Sequence, residues 1–188
     1  MALKATVIRI EVRLSDVDRG VYEEIPLTLA RHPSESPRYL ASRLLGYLLH
    51  FGEGVTFSRG GLSSVDEAPV AERDPTGALI RWIDVNAPSA ERLHRASKAA
   101  KVSVVSCTRE ALVREAAARP IHAADEIDVI LVPAAFNESL ADLVLAGRSF
   151  ELVRTDGHLY VTAPRGDGTE TFDAPLELRS LASLLAGA

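Results

Sequence analysis

The sequence predicts a mixed α/β domain with a hairpin-rich N-terminus and a small hairpin extension near the C-terminus. Three observations carry this reading. Period-two apolar alternation recurs, most clearly in Thr6, Ile8, Ile10, Val12 and Leu14, as a strand requires. Apolar residues at three- and four-residue spacing mark helices between the strands. Residues 79–105 then read strand, helix, strand, which implies a right-handed crossover and local parallel pairing.

The elements follow in order. Asp16, Asp18 and Gly20 mark a turn, after which Val21, Ile25, Leu27 and Leu29 share one parity and pair back on the first strand. Pro26 places that second strand at an edge or bulge. Ser36 is a candidate N-cap and Pro37 the first helical residue, with Leu40, Leu44, Tyr47, Leu48 and Phe51 as the buried stripe and Gly52 and Gly54 as the stop. Val55 to Phe57 is a short strand, and Ser58-Arg59-Gly60-Gly61 a loop. A hairpin spans 69–85 around Asp74-Pro75-Thr76-Gly77, with Asp first, Pro second and Gly fourth, as a type I turn prefers.

A helix runs from Pro88-Ser89 to about Lys101, with Leu93, Ala96, Ser97 and Ala100 inward, followed by a strand over 102–105. A helix over 108–118, a strand over 128–132 and a helix over 137–146 come next. Residues 151–155 and 158–161 flank Asp156-Gly157, the strongest short hairpin signal in the chain. Leu176 to Leu185 is expected to close the chain as a helix.

Composition bounds the function. The 188 residues suffice for one core, and 47% hydrophobic with 25% charged residues is ordinary for a soluble globular protein. No apolar run is long enough to span a membrane. The N-terminus is interrupted by Lys4 and Arg9, unlike a signal peptide. The single cysteine, Cys107, fits a reducing compartment, so a cytoplasmic location is expected. A net charge of −5 argues against broad affinity for nucleic acid while allowing a local basic cleft. Phosphate-loop, nucleophile-elbow, paired-histidine and cysteine-cluster motifs are absent.

The chemistry-bearing residues are acidic and basic. Ile80, Trp82 and Asp84 share one face of the strand after the turn, and Asp84 lies at its C-terminal end, where ligand clefts form in α/β sheets. The hairpin brings residues 67–69 roughly across from 82–84, so Asp66 or Glu67 approaches Asp84. Converging carboxylates need a cation or a basic group between them. Magnesium suits such a pair. Alternatively Arg43, on the apolar stripe of the first helix, forms a structural pair with Asp84 or Glu67. A second constellation, Arg31, His32 and Ser34 before that helix, suits a phosphate at the free N–H groups of the helix start, or Ser34 and Ser36 simply cap.

Read together, "MALKAT", "LTLARHPSES" at 27–36, "RLL" at 43–45, "GLSSVDEAP" at 61–69 and "WIDVNAP" at 82–88 resemble the YaeQ family. The resemblance covers most of the chain, through at least residue 106, and "LVRTDGHLYVT" at 152–162 falls where that family has a comparable hairpin. It implies a single domain over 1–188 with a restriction-endonuclease-like mixed sheet flanked by helices, a variant of the PD-(D/E)XK nuclease fold. The nuclease-like core would span about 36–132 and the hairpin extension about 149–175. In such nucleases two acids bind magnesium and a lysine two residues after the second acid positions the attacking water. Carried over, Asp66 or Glu67 is the first acid, Asp84 the second and Glu35 an auxiliary metal ligand, with Mg²⁺ or Mn²⁺ as the ion and no organic cofactor.

The lysine position is Asn86, where the family usually reads Glu-x-Gly, and the Pro of Asp66-Glu67-Ala68-Pro69 is shifted by one. Arg43 and Arg95 are candidate replacement cations, with Lys98 ranked after them; Arg clamps phosphate but is a poor proton acceptor. The expected function is therefore a nuclease-like module, a monomer or weak oligomer, that binds nucleic acid or a protein without cleaving. A magnesium-dependent phosphodiesterase acting on DNA or RNA is the alternative.

Overall fold

A computed structural model describes residues 5–58 and 67–187. In chain order the elements are β1 (Thr6–Asp16), β2 (Val21–Arg31), α1 (Pro37–Leu49), β3 (Val55–Phe57), β4 (Val70–Arg73), β5 (Leu79–Val85), α2 (Ala90–Ala99), β6 (Lys101–Ser106), α3 (Arg109–Ala116), β7 (Asp128–Leu131), α4 (Ala134–Leu145), β8 (Phe150–Thr155), β9 (His158–Arg165), β10 (Gly168–Pro175), β11 (Glu177–Ser180) and α5 (Leu181–Ala186). They form two sheets rather than the single sheet expected. One unit comprises residues through Ala41 with Val132–Leu176, the other Ser42–Leu131 with residues from Glu177 onward.

In the first unit the N-terminal hairpin and the C-terminal hairpin belong to the same sheet, ordered β10-β9-β8-β1-β2. β1 and β2 pair antiparallel with Val12 opposite Ile25, and β1 pairs parallel with β8. Ile8, Ile10, Val12 and Leu14 are buried as their parity requires. Pro26 lies on the edge strand, where its missing N–H costs no ladder bond. Asp156 and Gly157 both have positive φ, 51° and 69°, the geometry a two-residue type I′ hairpin demands. β10, which the sequence reading did not separate, extends that hairpin into a meander; its Thr, Glu and Asp residues hide a strand whose outer face is polar. α4 starts directly after Pro133, three residues before the expected 137. Asn137 is buried inside the helix and donates to the Arg38 carbonyl at 3.0 Å.

In the second unit the order is β11-β7-β6-β5-β4-β3, with β5, β6 and β7 parallel at the centre and antiparallel strands outside. The expected crossover through α2 is present. Trp82, Leu93, Val104, Leu112, Val129 and Leu181 belong to one apolar cluster, and Val55, Val70 and Ile83 to another, against Tyr47 and Phe57. Gly46 lets α1 sit close to the sheet: a Cβ there would lie 3.4 Å from an Ile83 methyl. Two expectations change here. β5 is buried only from Trp82 onward, because a register shift at Glu72/Arg73 turns Ile80 to solvent. Residues 177–180 are a strand paired with β7, not helix; α5 begins only after Ser180, whose hydroxyl accepts from Ser183 N at 3.2 Å.

Candidate functional site

Asp84 holds the C-terminal end of β5, a central strand, and is 3% exposed. A carboxylate so buried must be paired and hydrogen-bonded to remain charged. Its Oδ2 accepts from the Trp82 indole N–H at 2.9 Å and from Arg92 Nε at 2.5 Å, and its Oδ1 accepts from the Val85 backbone N–H at 3.0 Å. The cation paired with Asp84 is therefore Arg92, not Arg43. Trp82 and Asp84 share a face by strand parity. Arg92 reaches them from the first turn of α2, whose N-cap Ser89 accepts from Arg92 N. Its guanidinium also stacks over the Trp82 ring, 4.9 Å from the centroid. Arg92 Nη2 donates to the Glu67 carbonyl at 2.8 Å. One side chain thus ties the segment before β4, the end of β5 and the start of α2.

The acids and bases anticipated from sequence fall into place as follows. Asp66 lies outside the described residues. Glu67 is exposed and meets the site through its backbone carbonyl. The β4–β5 register, Val70 opposite Ile83, puts Pro69 across from Asp84 when continued by one residue. Arg43 is buried, its guanidinium 5.2 Å from the Phe57 centroid, and Phe57 in turn stacks on Tyr47 at 4.5 Å. Arg95 is exposed on α2. Beside this cluster a groove of about 550 Å³ is lined by Trp82, Glu67, Phe57, Thr56, Ala71 and Leu79.

Asn86 explains its own presence where a lysine was expected. Its φ is +61°, a conformation that Asn tolerates far better than lysine. Its N–H donates to the Val105 carbonyl, and its side-chain oxygen accepts from Ser42 Oγ at 2.8 Å and Cys107 Sγ at 3.3 Å. The residue joins α1 to the ends of β5 and β6. Its amide is committed to that joint.

In the other unit Arg31, His32, Ser34 and Glu35 come together. Arg31 Nε donates to the Glu35 carbonyl at 3.0 Å, His32 N to Glu35 Oε2 at 3.3 Å, and Ser34 N to His32 Nδ1 at 3.1 Å. Ser36 caps α1 as expected, accepting from Tyr39 N. The donors anticipated for phosphate thus have acceptors within the segment, and Glu35 is a buried carboxylate among them.

At Asp84 the Arg92 guanidinium and the Trp82 indole N–H share one oxygen, and the Val85 N–H takes one lone pair of the other. Among the described residues no group of three or more His, Cys, Asp or Glu side chains is placed to hold a metal. Sequence reading missed Arg92. The available signal was its place in the first turn of a helix that follows the Asp84 strand end.

Comparison with known proteins bears on the whole chain. The family model described as YaeQ protein matches residues 1–171. The chain belongs to the YaeQ family. It is 37% identical over 105 residues to the uncharacterized protein YaeQ of Escherichia coli (strain K12), a match covering 55% of this chain and 58% of that protein. It is 38% identical over 96 residues to the Salmonella typhi protein of the same description, covering 51% and 52%. These matches therefore span little more than half the length of either relative. Crystal structures of YaeQ proteins resemble it over nearly their full length. The Pseudomonas syringae protein has a TM-score of 0.78 at 29% identity, covering 93% of this chain and 95% of that one. The Xanthomonas axonopodis pv. citri protein has a TM-score of 0.78 at 31% identity, covering 94% and 99%. Each likeness therefore takes in residues of both sheets of this chain. Among the described residues no helix is long and apolar enough to cross a membrane.

Proposed function

We propose that this member of the YaeQ family is a nuclease-like module that binds nucleic acid without cleaving it. The observation that carries the reading is the neutralisation of Asp84 by Arg92, 2.5 Å away and stacked on Trp82. What supports a nuclease-like reading is the element order that the PD-(D/E)XK resemblance implies: a segment carrying Glu67, a hairpin, Asp84 at a strand end, then a crossover helix and a parallel strand. The position two residues after Asp84 carries an amide, which supplies no positive charge to a phosphate. A site whose second acid is spent on an internal ion pair retains a shape for nucleic acid but lacks the means to activate water.

The test is fluorescence anisotropy with labelled single-stranded and duplex oligonucleotides, paired with a cleavage assay in Mg²⁺ and Mn²⁺. Binding is expected without a metal requirement, weakening steeply with salt, and no cleavage is expected in either metal. Metal-dependent cleavage that disappears in Asp84→Asn overturns the non-cleaving reading. Absence of binding to either oligonucleotide at low salt overturns the nucleic-acid reading.

A further inference from the structure

The chain carries a net charge of −5, and many of its arginines are in ion pairs: Arg13, Arg38, Arg81, Arg92, Arg109 and Arg148 among them. One surface departs from this pattern. His94 and Lys98 stand on α2, and Arg119 and His122 on the segment between α3 and β7. Beside burial, the permanent charges that act on His94 are those of Lys98 and Arg119, and His122 adjoins them. The His94 and His122 rings are 6.5 Å apart, edge to face, and the His122 backbone N–H donates to His94 Nδ1 at 3.2 Å. Lys98, Arg119 and His122 are exposed, as is Arg95 one turn before Lys98 on α2. Among the described residues neither Lys98 nor Arg119 makes an ion pair.

Neighbouring cations repel one another, and an anion relieves that cost. The acids of these two segments are Glu91, Asp125 and Glu126. Glu91 is in the first turn of α2, about 10 Å along the helix from Lys98. Asp125 and Glu126 precede β7, and Glu126 lines a cavity with Ser97, Ala100 and Lys101. The chemistry also discriminates between partners. Protein interfaces centre on exposed apolar and aromatic side chains, and none of the exposed large hydrophobics, such as Val7, Tyr22, Ile80 and Leu178, belongs to α2 or to 117–127. Arg119 offers a planar fork and Lys98 a point charge, both suited to phosphate oxygens.

We infer that the Lys98–Arg119–His122 surface of α2 and the α3–β7 connection is where a nucleic-acid strand lays its phosphates, outside the Asp84–Arg92 cluster. This rests on the nucleic-acid reading above and assigns that reading a surface. The experiment measures oligonucleotide affinity and its salt dependence for wild type, Lys98→Gln/Arg119→Gln and, as a control away from the patch, the exposed Arg9→Gln on β1. Both patch residues are exposed, and the urea midpoint checks that the double variant remains folded. The double variant is expected to bind between about ten- and about a hundredfold more weakly at low salt, with the slope of log K against log salt shallower by about 2. Unchanged affinity and slope in the double variant, with wild type binding, overturn the surface while leaving the nucleic-acid reading intact. Wild type that binds no oligonucleotide overturns both, and binding of an acidic polypeptide through the same two residues would then point to a protein partner.

Discussion

Arg92 reaches back from the first turn of α2 to place its Nε 2.5 Å from Asp84 Oδ2, and the two side chains are 16% and 5% exposed. The pair closes a circuit in which Trp82 donates to the same oxygen and lies under the guanidinium. Removing either charge leaves the other buried. Arg92→Met is expected to lower the free energy of unfolding by about 3–5 kcal/mol, read from urea denaturation. The paired change Asp84→Leu/Arg92→Met should cost less than Arg92→Met, since it leaves no uncompensated charge. A double variant as unstable as the sum of its singles would mean the two side chains act independently.

Gly54 carries a second, sharper constraint. Its φ is +79°, and a Cβ built there would lie 2.0 Å from the Arg73 carbonyl oxygen. The Arg73 N–H donates to the Gly54 carbonyl at 3.0 Å, so the two backbones are locked where β3 meets β4. Gly54→Ala therefore has to break that edge. A loss of more than about 2 kcal/mol is expected, with faster hydrogen exchange at Val55 and Arg73. Wild-type exchange rates at both amides would refute the close approach as the cause.

How much of this was legible beforehand depended on the range of the interaction. Strands with one buried face, β1 and β2 above all, announced themselves by period two, and the Asp156-Gly157 turn by its own chemistry. The β1–β8 pairing was invisible, because Val12 and Phe150 meet across most of the chain and nothing local encodes it. Residues 177–180 misread as helix because a four-residue edge strand followed at once by Leu181-Ala-Ser-Leu-Leu has too few alternations to outweigh a helical run. At the site, the oddity of Asp84 was readable, but its partner was not. Arg43 looked anomalous on an apolar stripe and Arg92 unremarkable on an amphipathic helix. Their roles follow from what each faces in three dimensions.

Asp18 shows how the first sheet joins its two hairpins. Its carboxylate accepts from the Asp156 and Gly157 backbone N–H groups at 2.7 and 3.1 Å and pairs with Arg154. The Gly157 N–H, then that of Asp156 and the Arg154 charge, hold its pKa below the usual aspartate value of 3.8, against the opposing effect of desolvation. Because the folded pKa is depressed, the stabilisation is present above 3.8 and is lost as pH falls through the lower folded value. Asp18→Ala should speed exchange of the Asp156 and Gly157 amides selectively and remove this acid-side contribution. Unaltered protection at both amides would show that the turn holds without the carboxylate.

His94 provides a test on the opposite side of neutrality. Burial, followed by the charges of Lys98, Arg119 and His122, holds its pKa below the ordinary 6.5. Its Nδ1 accepts the His122 N–H, which an imidazolium cannot do. A depressed histidine stabilises the fold above its unfolded pKa, and that stability is lost as pH falls through the lower folded value. His94→Gln should therefore flatten the fall in unfolding free energy between about pH 7 and 5, where histidines titrate. Relieving the neighbouring charge in Lys98→Gln/Arg119→Gln should move the His94 imidazole titration upward toward its ordinary value, as followed by NMR. The same cations that would face phosphates thus add to burial in holding the His94 pKa down. An imidazole titration that does not move in the double variant would show that burial alone sets its charge, and the Coulombic coupling across the patch would be refuted.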